Sequence, residues 1–393
     1  MINLDIQRRS IQFQKTFIFL IGFTFWELTF LMQRLTISDS FNSRSLFYIR
    51  IFGLVVILLS EILSRNSSMY GYRFEMKKIL PFLLIAIFLT FNNYYLAGKS
   101  WFIDILLIVF CARDINYRQF LSYSLGMFTI YYLGVILANG LGIIPSSITY
   151  RELGVRNSLG FGWSTWPAFG FFYISLIYMV LRGKRVTYFE LFIITTVAYF
   201  FYHMTTTRYA FLLTLLLVLV WLFKKVSNFK FYKNSFTRTA IYLLYPALTF
   251  FIYYLSKNAI RFSSINKLFS GRLTLGQTAL QNYGVKILGR QTNFSSSRDI
   301  IGVQYSYVDS AMLQSLIIYG VIAILLIGLV FYLFERRIID SQNDYLLIAI
   351  AFTMANGFTD PQLLEPFYNI FFVMMGCLLI NNEDAITALK FER

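Results

Sequence analysis

Apolar stretches of roughly 17 to 25 residues recur along the 393-residue chain, separated by short polar breaks. A helix of that length crosses the ~30 Å of hydrocarbon in a bilayer. Because lipid offers the backbone no hydrogen-bond partner, a crossing segment must pair its own peptide groups, as a helix does. The 57% of hydrophobic residues also exceeds what one soluble core uses. The sequence therefore predicts an all-α, polytopic integral membrane protein.

The apolar stretches predict about twelve transmembrane helices, with a range of 11 to 13 because three of the stretches are short. Together they form a single membrane domain, residues 1–393. No small-residue cleavage site follows the basic first stretch, so we expect the first span to be retained. The predicted spans cover 16–33, 46–64, 79–97, 101–112, 120–144, 159–181, 188–203, 209–223, 239–256, 309–334, 345–359 and 366–381.

The distribution of lysine and arginine predicts the orientation of these spans. With the N-terminus inside, the inside segments hold 21 of the 35 basic residues. The outside segments hold 13, of which seven lie in one loop, 257–306. The positive-inside rule, which counts short loops, therefore predicts that both termini are cytoplasmic. The net charge of +16 follows mainly from this topology and does not indicate a nucleic acid partner.

The segment 257–306, between the ninth and tenth spans, is predicted to be one large extracytoplasmic loop. Its seven basic residues face a single acid, Asp299. Long loops cross the membrane regardless of charge, so topology does not explain the excess. Arginines such as Arg272 and Arg290 suit phosphate oxygens, because a guanidinium donates two parallel hydrogen bonds. The alternative is an amphipathic cover that lies on anionic lipid head groups.

A second outside loop, 146–158, is the other predicted functional segment. It carries Arg151 and Arg156, and it leads into Gly160 and Gly162. Glycines permit the backbone to approach a ligand closely, so the combination predicts an anion-binding segment. An ordinary interfacial turn is the competing interpretation.

Further candidates are expected on the same side of the membrane. Arg208 opens the eighth span, where a positive charge opposes the helix dipole and so is not explained by helix stability. Snorkelling to lipid phosphate is the alternative. Asp309, where the large loop re-enters the membrane, is the leading candidate for a general base, although N-capping explains it equally well. Glu152 and Asp299 are the next candidates.

Several classes of chemistry are disfavoured by what the chain lacks. One histidine and two cysteines are too few for a His- or Cys-based metal site, and no paired carboxylates compensate. No phosphate-binding glycine loop is present, which disfavours ATP hydrolysis. We therefore predict no metal and no cofactor, and we expect the energy for any reaction to come with the substrate.

The order of several short motifs resembles that of the Wzy-type polysaccharide polymerases, in the O-antigen polymerase/ligase superfamily. Each motif is weak alone, and their order and side of the membrane carry the resemblance. The motifs are Arg156-Asn-Ser-Leu-Gly-Phe-Gly162, Thr205-Thr-Thr-Arg208, Leu268-Phe-Ser-Gly-Arg272, Tyr307-Val-Asp-Ser310 and Tyr319-Gly320.

The resemblance implies a multi-pass protein of the bacterial cytoplasmic membrane. Such polymerases extend O-antigen, capsular or exopolysaccharide chains at its outer face from repeat units on undecaprenyl pyrophosphate. The implied partners are this lipid-linked oligosaccharide, membrane lipid, and the flippase and chain-length regulator of the same pathway. Some members carry arginine, ten residues and glycine in two outside loops; Arg151 and Gly162 have that spacing, whereas Arg272 and Gly284 are one residue further apart.

The resemblance also implies roles for the candidate residues. The polymer on its lipid would be the donor, and arginines would hold the departing pyrophosphate in place of a metal. The leading arginines are Arg156, Arg208 and Arg272, with Arg151 and Arg290 as further candidates. Related O-antigen ligases use a histidine in the large loop, and this loop has none, which favours a polymerase. A flippase for lipid-linked oligosaccharide and a non-catalytic scaffold are the rival functions.

Overall fold

The computed structural model describes residues 2–65, 76–99, 101–151, 154–294 and 306–391. Only the backbone is described at 2–11, 63–65, 76–79, 101 and 151. Across these ranges the chain is mostly helical, and its one sheet is a two-stranded β-hairpin, so the all-α prediction is confirmed.

The described residues up to 227 form eight α-helices and the hairpin. A capping box between Thr187 and Glu190 starts α7, and the Asn116 side chain caps α5. The elements are α1 (Ile2–Met32), α2 (Ser43–Arg65), α3 (Met76–Phe91) with a π-helical turn (Asn92–Leu96), α4 (Trp101–Cys111), α5 (Tyr117–Gly140), β1 (Ile148–Arg151), β2 (Gly154–Asn157), α6 (Trp166–Arg182), α7 (Tyr188–Thr205) and α8 (Arg208–Ser227), with short 3-10 helices at Ser38–Ser40 and Gly183–Arg185.

The described residues after 227 form seven α-helices and two 3-10 helices. The bend of 51° between its first two helices is explained by Pro246, which lacks an N–H and collides with the carbonyl four residues earlier. The elements are α9 (Ser235–Tyr242), α10 (Leu244–Lys257), α11 (Ser263–Leu268), α12 (Arg272–Tyr283), α13 (Ala311–Asp340), α14 (Asp344–Gly357), the 3-10 helices Pro361–Leu364 and Ile370–Leu379, and α15 (Asn382–Leu389).

Six of the described helices are long and apolar enough to cross a membrane, and the bent pair α9–α10 makes a seventh if it is one span. The six segments are Gln12–Met32, Ser43–Ile62, Tyr117–Gly140, Trp166–Arg185, Arg208–Ser227 and Ala311–Asp340. Four shorter apolar helices accompany them: Leu80–Leu96, Phe102–Cys111, Asp344–Gly357 and Ile370–Leu379. The chain therefore has the helices of a membrane protein, while twelve spans and cytoplasmic termini remain predictions.

Small residues let the first two helices pack backbone against backbone. A Cβ atom on Gly22 would lie 2.7 Å from the Gly53 carbonyl oxygen, and one on Gly53 would lie 2.6 Å from the Trp26 nitrogen. Close approach of this kind is how helices associate in lipid, where apolar burial offers little driving force. Either substitution would push α1 and α2 apart.

A network of charges lies at one end of the helical body, which we call the Lys15 end. The Lys15 ammonium contacts the carboxylates of Glu61, at 2.7 Å, and Asp114. Arg113 pairs with the other Glu61 oxygen. Burial of these groups is tolerated because each charge faces an opposite charge at hydrogen-bond distance. This end therefore joins α1, α2 and the turn that follows α4.

The opposite end, which we call the Arg34 end, begins at the turn after α1. From Lys15 to Met32 the helix rises about 26 Å, close to the thickness of the hydrocarbon layer. The Arg34 carbonyl accepts a hydrogen bond from the Gly162 N–H (2.8 Å), which attaches the segment before α6. The Ala311 N–H donates to the Asp360 carbonyl (3.3 Å), which joins α13 to the segment after α14.

The predicted orientation can be tested with two residues of equal exposure. Tyr150, in the hairpin, is 81% exposed, and Phe236, in α9, is 82% exposed. Both native cysteines are buried, so they contribute little background. We expect a membrane-impermeant maleimide to label Tyr150→Cys on intact cells, and to label Phe236→Cys only after the membrane is opened. The reverse pattern would contradict cytoplasmic termini.

Candidate functional site

An ion pair joins α12 to the start of α13 at the Arg34 end. The Arg272 Nε lies 2.9 Å from Asp309 Oδ2, and these side chains are 22% and 20% exposed. Arg272 opens α12, where the helix dipole disfavours a cation, so Asp309 offsets that cost. The hydroxyl of Ser310, rather than Asp309, caps α13 by accepting from the Leu313 N–H. The Asp309 carboxylate is therefore available to Arg272.

A second carboxyl group lies beside this pair. Asp360 is 5% exposed, and its Oδ1 accepts a hydrogen bond from the Gln362 N–H at 3.1 Å. Burial raises the pKa of Asp360 to about 8; the nearby Arg272 charge opposes the shift, and Asp309 and Glu365 add to it. The Arg272–Asp309 pair thus has a neighbouring acid that holds its proton at neutral pH.

A second ion pair continues the cluster on the other side of Asp360. The Arg34 NH2 group lies 3.1 Å from Glu365 Oε2. Its guanidinium carbon lies 4.5 Å from the ring centre of Trp166 and 5.0 Å from that of Phe367, within the range of cation–π attraction. Burial raises the pKa of Glu365, and the Arg34 charge opposes that shift. Arg34 is thereby held rigidly between aromatic rings and a carboxylate.

We call these five residues the arginine–carboxylate cluster: Arg34, Arg272, Asp309, Asp360 and Glu365. They come from four separate parts of the chain, and helix termini bring them to one end of the body. Two arginines and three carboxyl groups give the cluster both anion-binding groups and groups that can exchange a proton. Within the described ranges, no three His, Cys, Asp or Glu side chains form a group that could hold a metal ion.

Two of the predicted arginines flank the segment that follows α7. Arg156, in β2, donates from Nε to the Thr206 hydroxyl at 2.7 Å. Arg208 follows two residues later; it is exposed and forms no ion pair with any described side chain. The next residue, Tyr209, packs its ring on Phe269, three residues before Arg272. The structure thus connects Arg156, Arg208 and Arg272 through one short segment at the Arg34 end.

The remaining predicted residues have other positions. The Arg290 N–H donates to the Ile318 carbonyl (2.8 Å), so Arg290 lies against the first third of α13. The backbone of Arg151 pairs with Gly154 in the hairpin, and its side chain lies outside the described residues, as do Glu152 and Asp299.

The glycines that follow the second outside loop allow close approach within the protein. A Cβ atom on Gly162 would lie 3.1 Å from the Trp166 ring, and the Gly162 backbone bonds to Arg34. Gly160 has a φ of 91°, and a Cβ atom there would lie 3.1 Å from the Val135 side chain. The described neighbours of these glycines therefore lie in the turn after α1, in α5 and in α6, and the glycines serve to dock the segment before α6.

The sequence predicts Asp360 and Glu365 only as carboxylates on the outer side, not as site residues. Arg34 is, in the sequence, one basic residue of a short outside loop. An arginine in a short outside loop is unusual, because basic residues are disfavoured there, and this could have marked Arg34 as a candidate. For Asp360 and Glu365 the signal was their position between two apolar stretches at the outer end.

No family model matches the chain, and no curated protein or solved structure matches it.

The buried Asp360 carboxyl predicts a pH dependence of stability. The folded chain keeps this proton up to about pH 8, whereas an unperturbed carboxyl releases it near 3.8, so the free energy of unfolding should fall as pH rises between these values. Asp360→Asn keeps the shape of the protonated group and removes the effect. We expect the variant to lose less thermal stability than the natural chain between about pH 6 and about pH 8, by a few degrees, since ~1 kcal/mol shifts the midpoint by about 2–4 °C.

The control for this measurement is Asp340→Asn, which changes an exposed carboxyl at the end of α13. It should have the same pH slope as the natural chain. Identical slopes for all three proteins would show that Asp360 does not couple folding to pH.

Proposed function

We propose that the chain is a membrane-embedded glycosyltransferase of the Wzy polymerase kind, acting at the outer face of the bacterial cytoplasmic membrane. The donor is a growing glycan on undecaprenyl pyrophosphate, and the acceptor is a lipid-linked repeat unit. The observation that carries the proposal is the Arg272–Asp309 pair, with Asp360 beside it, at the same end as Arg156 and Arg208.

The pyrophosphate leaving group is stabilised mainly by cations. When the bond between the donor sugar and pyrophosphate breaks, the negative charge on the pyrophosphate grows, and fixed arginines stabilise it. The Arg272–Asp309 contact uses the Nε donor and leaves the two terminal NH2 groups of Arg272 for phosphate oxygens. Arg208 is exposed at the same end and can add a second contact.

The acceptor hydroxyl needs a base. In the proposed reaction its oxygen bonds to the anomeric carbon of the donor, the bond to pyrophosphate breaks, and the hydroxyl proton passes to a carboxylate. Asp309 contacts the Arg272 guanidinium and is partly exposed, so it is the base we favour. Asp360 already carries a proton near neutral pH, because burial raises its pKa, and is less suited to accept another.

The position of the charges supports a transferase more than a flippase. A flippase moves a charged head group through the membrane, which calls for polar groups along a central path. Here the arginine–carboxylate cluster lies at helix ends, and the described cavity at membrane depth is lined only by apolar residues. The absence of histidine from loop 257–306 supports a polymerase over an O-antigen ligase.

Substituting single arginines tests the proposal in host cells that lack their own copy of the gene. We expect Arg156→Ala, Arg208→Ala and Arg272→Ala each to remove long polymer, since loss of one fixed donor to a developing anion costs roughly 10²–10³-fold in rate. Arg272→Lys should also lower chain length, because lysine cannot form the two parallel hydrogen bonds. Polymer length is read on gels at matched protein levels in the membrane.

Arg261→Ala is the matched control for the loop's charge. Arg261 lies in the same large loop, is exposed, and has no ion pair with another described residue. It should leave polymer length unchanged. If all three arginine variants of the site retained natural chain lengths, the proposed role of the cluster would be rejected.

A further inference from the structure

The large loop begins with residues 257–268, which the proposed reaction does not use and which we call the basic segment. Its three cations, Lys257, Arg261 and Lys267, are exposed and form no ion pair with any described side chain. The sequence from 257 to 298 contains no aspartate or glutamate. The basic segment therefore presents a positively charged surface.

Hydrogen bonds fix the basic segment beside the arginine–carboxylate cluster. The Asn266 side-chain oxygen accepts from the Leu273 N–H at 3.0 Å, and its nitrogen donates to the Thr274 hydroxyl at 2.6 Å. Both partners lie in the first turn of α12, which begins at Arg272. The basic segment is thus held at the Arg34 end in a defined orientation.

Large apolar side chains are exposed among these cations. Ile260 is 83% exposed and Leu268 is 63% exposed, with Ile265 between them at 36%. Contact of such side chains with water costs free energy roughly in proportion to their apolar area. Basic and large apolar side chains on one exposed surface are typical of segments that lie in the membrane interface.

The apolar surface of the basic segment continues that of α10, which belongs to a candidate membrane span. Phe250 and Tyr254 are exposed on α10, and their ring centres are 6.2 Å apart. The Phe262 ring of the basic segment lies 5.8 Å from Tyr254. A row of aromatic rings therefore leads from the exposed side of a membrane helix directly to the cations.

We infer that the basic segment docks on anionic phospholipid head groups at the Arg34 end of the protein. Its cations contact the head groups, and Ile260 and Leu268 enter the upper part of the acyl chains. An acidic protein would match the charge equally well. The row of rings favours lipid, because it continues onto a surface that a bilayer covers.

The inference divides the large loop into two parts with different tasks. The basic segment attaches the loop to the membrane surface, and Arg272, at the start of α12, belongs to the arginine–carboxylate cluster. Lys257 and Lys267 end helices, where the helix dipole favours a cation. Arg261 lies between those helices, so no dipole explains its charge, and it is the residue that tests lipid docking most cleanly.

Spin labels on the full chain in lipid nanodiscs test the depth of the basic segment. Nitroxides on Ile260→Cys and Leu268→Cys should collide with oxygen, which concentrates in hydrocarbon, more often than with a water-soluble nickel chelate. A nitroxide on Gln281→Cys, an exposed position of the polar helix α12, is the control and should show the reverse. Equal nickel access at all three positions would overturn the inference, because the segment would then face water or a soluble partner.

Brominated lipids test the preference for anionic head groups. The nanodiscs contain equal amounts of phosphatidylcholine and phosphatidylglycerol, with bromine on the acyl chains of only one of them, and bromine quenches a fluorophore on Leu268→Cys by contact. We expect stronger quenching when phosphatidylglycerol carries the bromine. Arg261→Gln should reduce this preference roughly fivefold, the contribution of one basic residue near an anionic surface.

Arg261→Lys is the matched control, since it keeps the charge and should keep the preference for phosphatidylglycerol. Equal quenching by the two lipids in the natural chain would overturn the inference, as would an unchanged preference in Arg261→Gln at natural thermal stability. Neither measurement requires turnover, so the result is independent of the proposed function. Polymer length should be unaffected in Arg261→Gln, because Asn266 still holds the segment against α12.

Discussion

The free-energy cost of placing charge in hydrocarbon determines where the charged networks of this protein lie. Its charged networks collect at two ends of the helical body, about 26 Å apart along α1. Arg50 and Asp104 form an ion pair away from these ends. The Asp104 oxygen that contacts Arg50 also accepts a hydrogen bond from the Trp26 side-chain N–H at 2.7 Å. The partly exposed charged pairs thus lie at the ends, and a reaction on a water-soluble glycan is expected there.

The two ends differ in how completely their charges are satisfied. At the Lys15 end, Glu61 is 5% exposed and contacts two cations, which is the arrangement of a structural junction. At the Arg34 end the pair Arg272–Asp309 is about one-fifth exposed, and Arg208 is exposed. Partly open pairs can exchange one partner for a ligand at modest cost, because exposed ion pairs contribute little stability. The Arg34 end is therefore the one suited to binding an anion.

Helical class and the approximate place of each apolar helix could be predicted because they depend on local length and composition. Other features depend on contacts between distant residues. Arg34 and Glu365 are 331 positions apart, so their pairing required the fold. The break of α13 at Gly320 depends on residues 286–290, whose backbone bonds to that of α13, and no local pattern indicates this pairing. The residues Ile370–Leu379 form a 3-10 helix, whereas the sequence predicts an α-helical span there.

The central claim is that these arginines serve the transfer of a glycan from a lipid pyrophosphate. It is tested most directly by reconstituting the purified chain in liposomes with lipid-linked repeat units and measuring both products. We predict a ladder of glycan lengths and the release of one isoprenyl pyrophosphate for each linkage formed. Movement of intact repeat units across the bilayer, with no ladder and no released pyrophosphate, would contradict the claim and indicate a transporter.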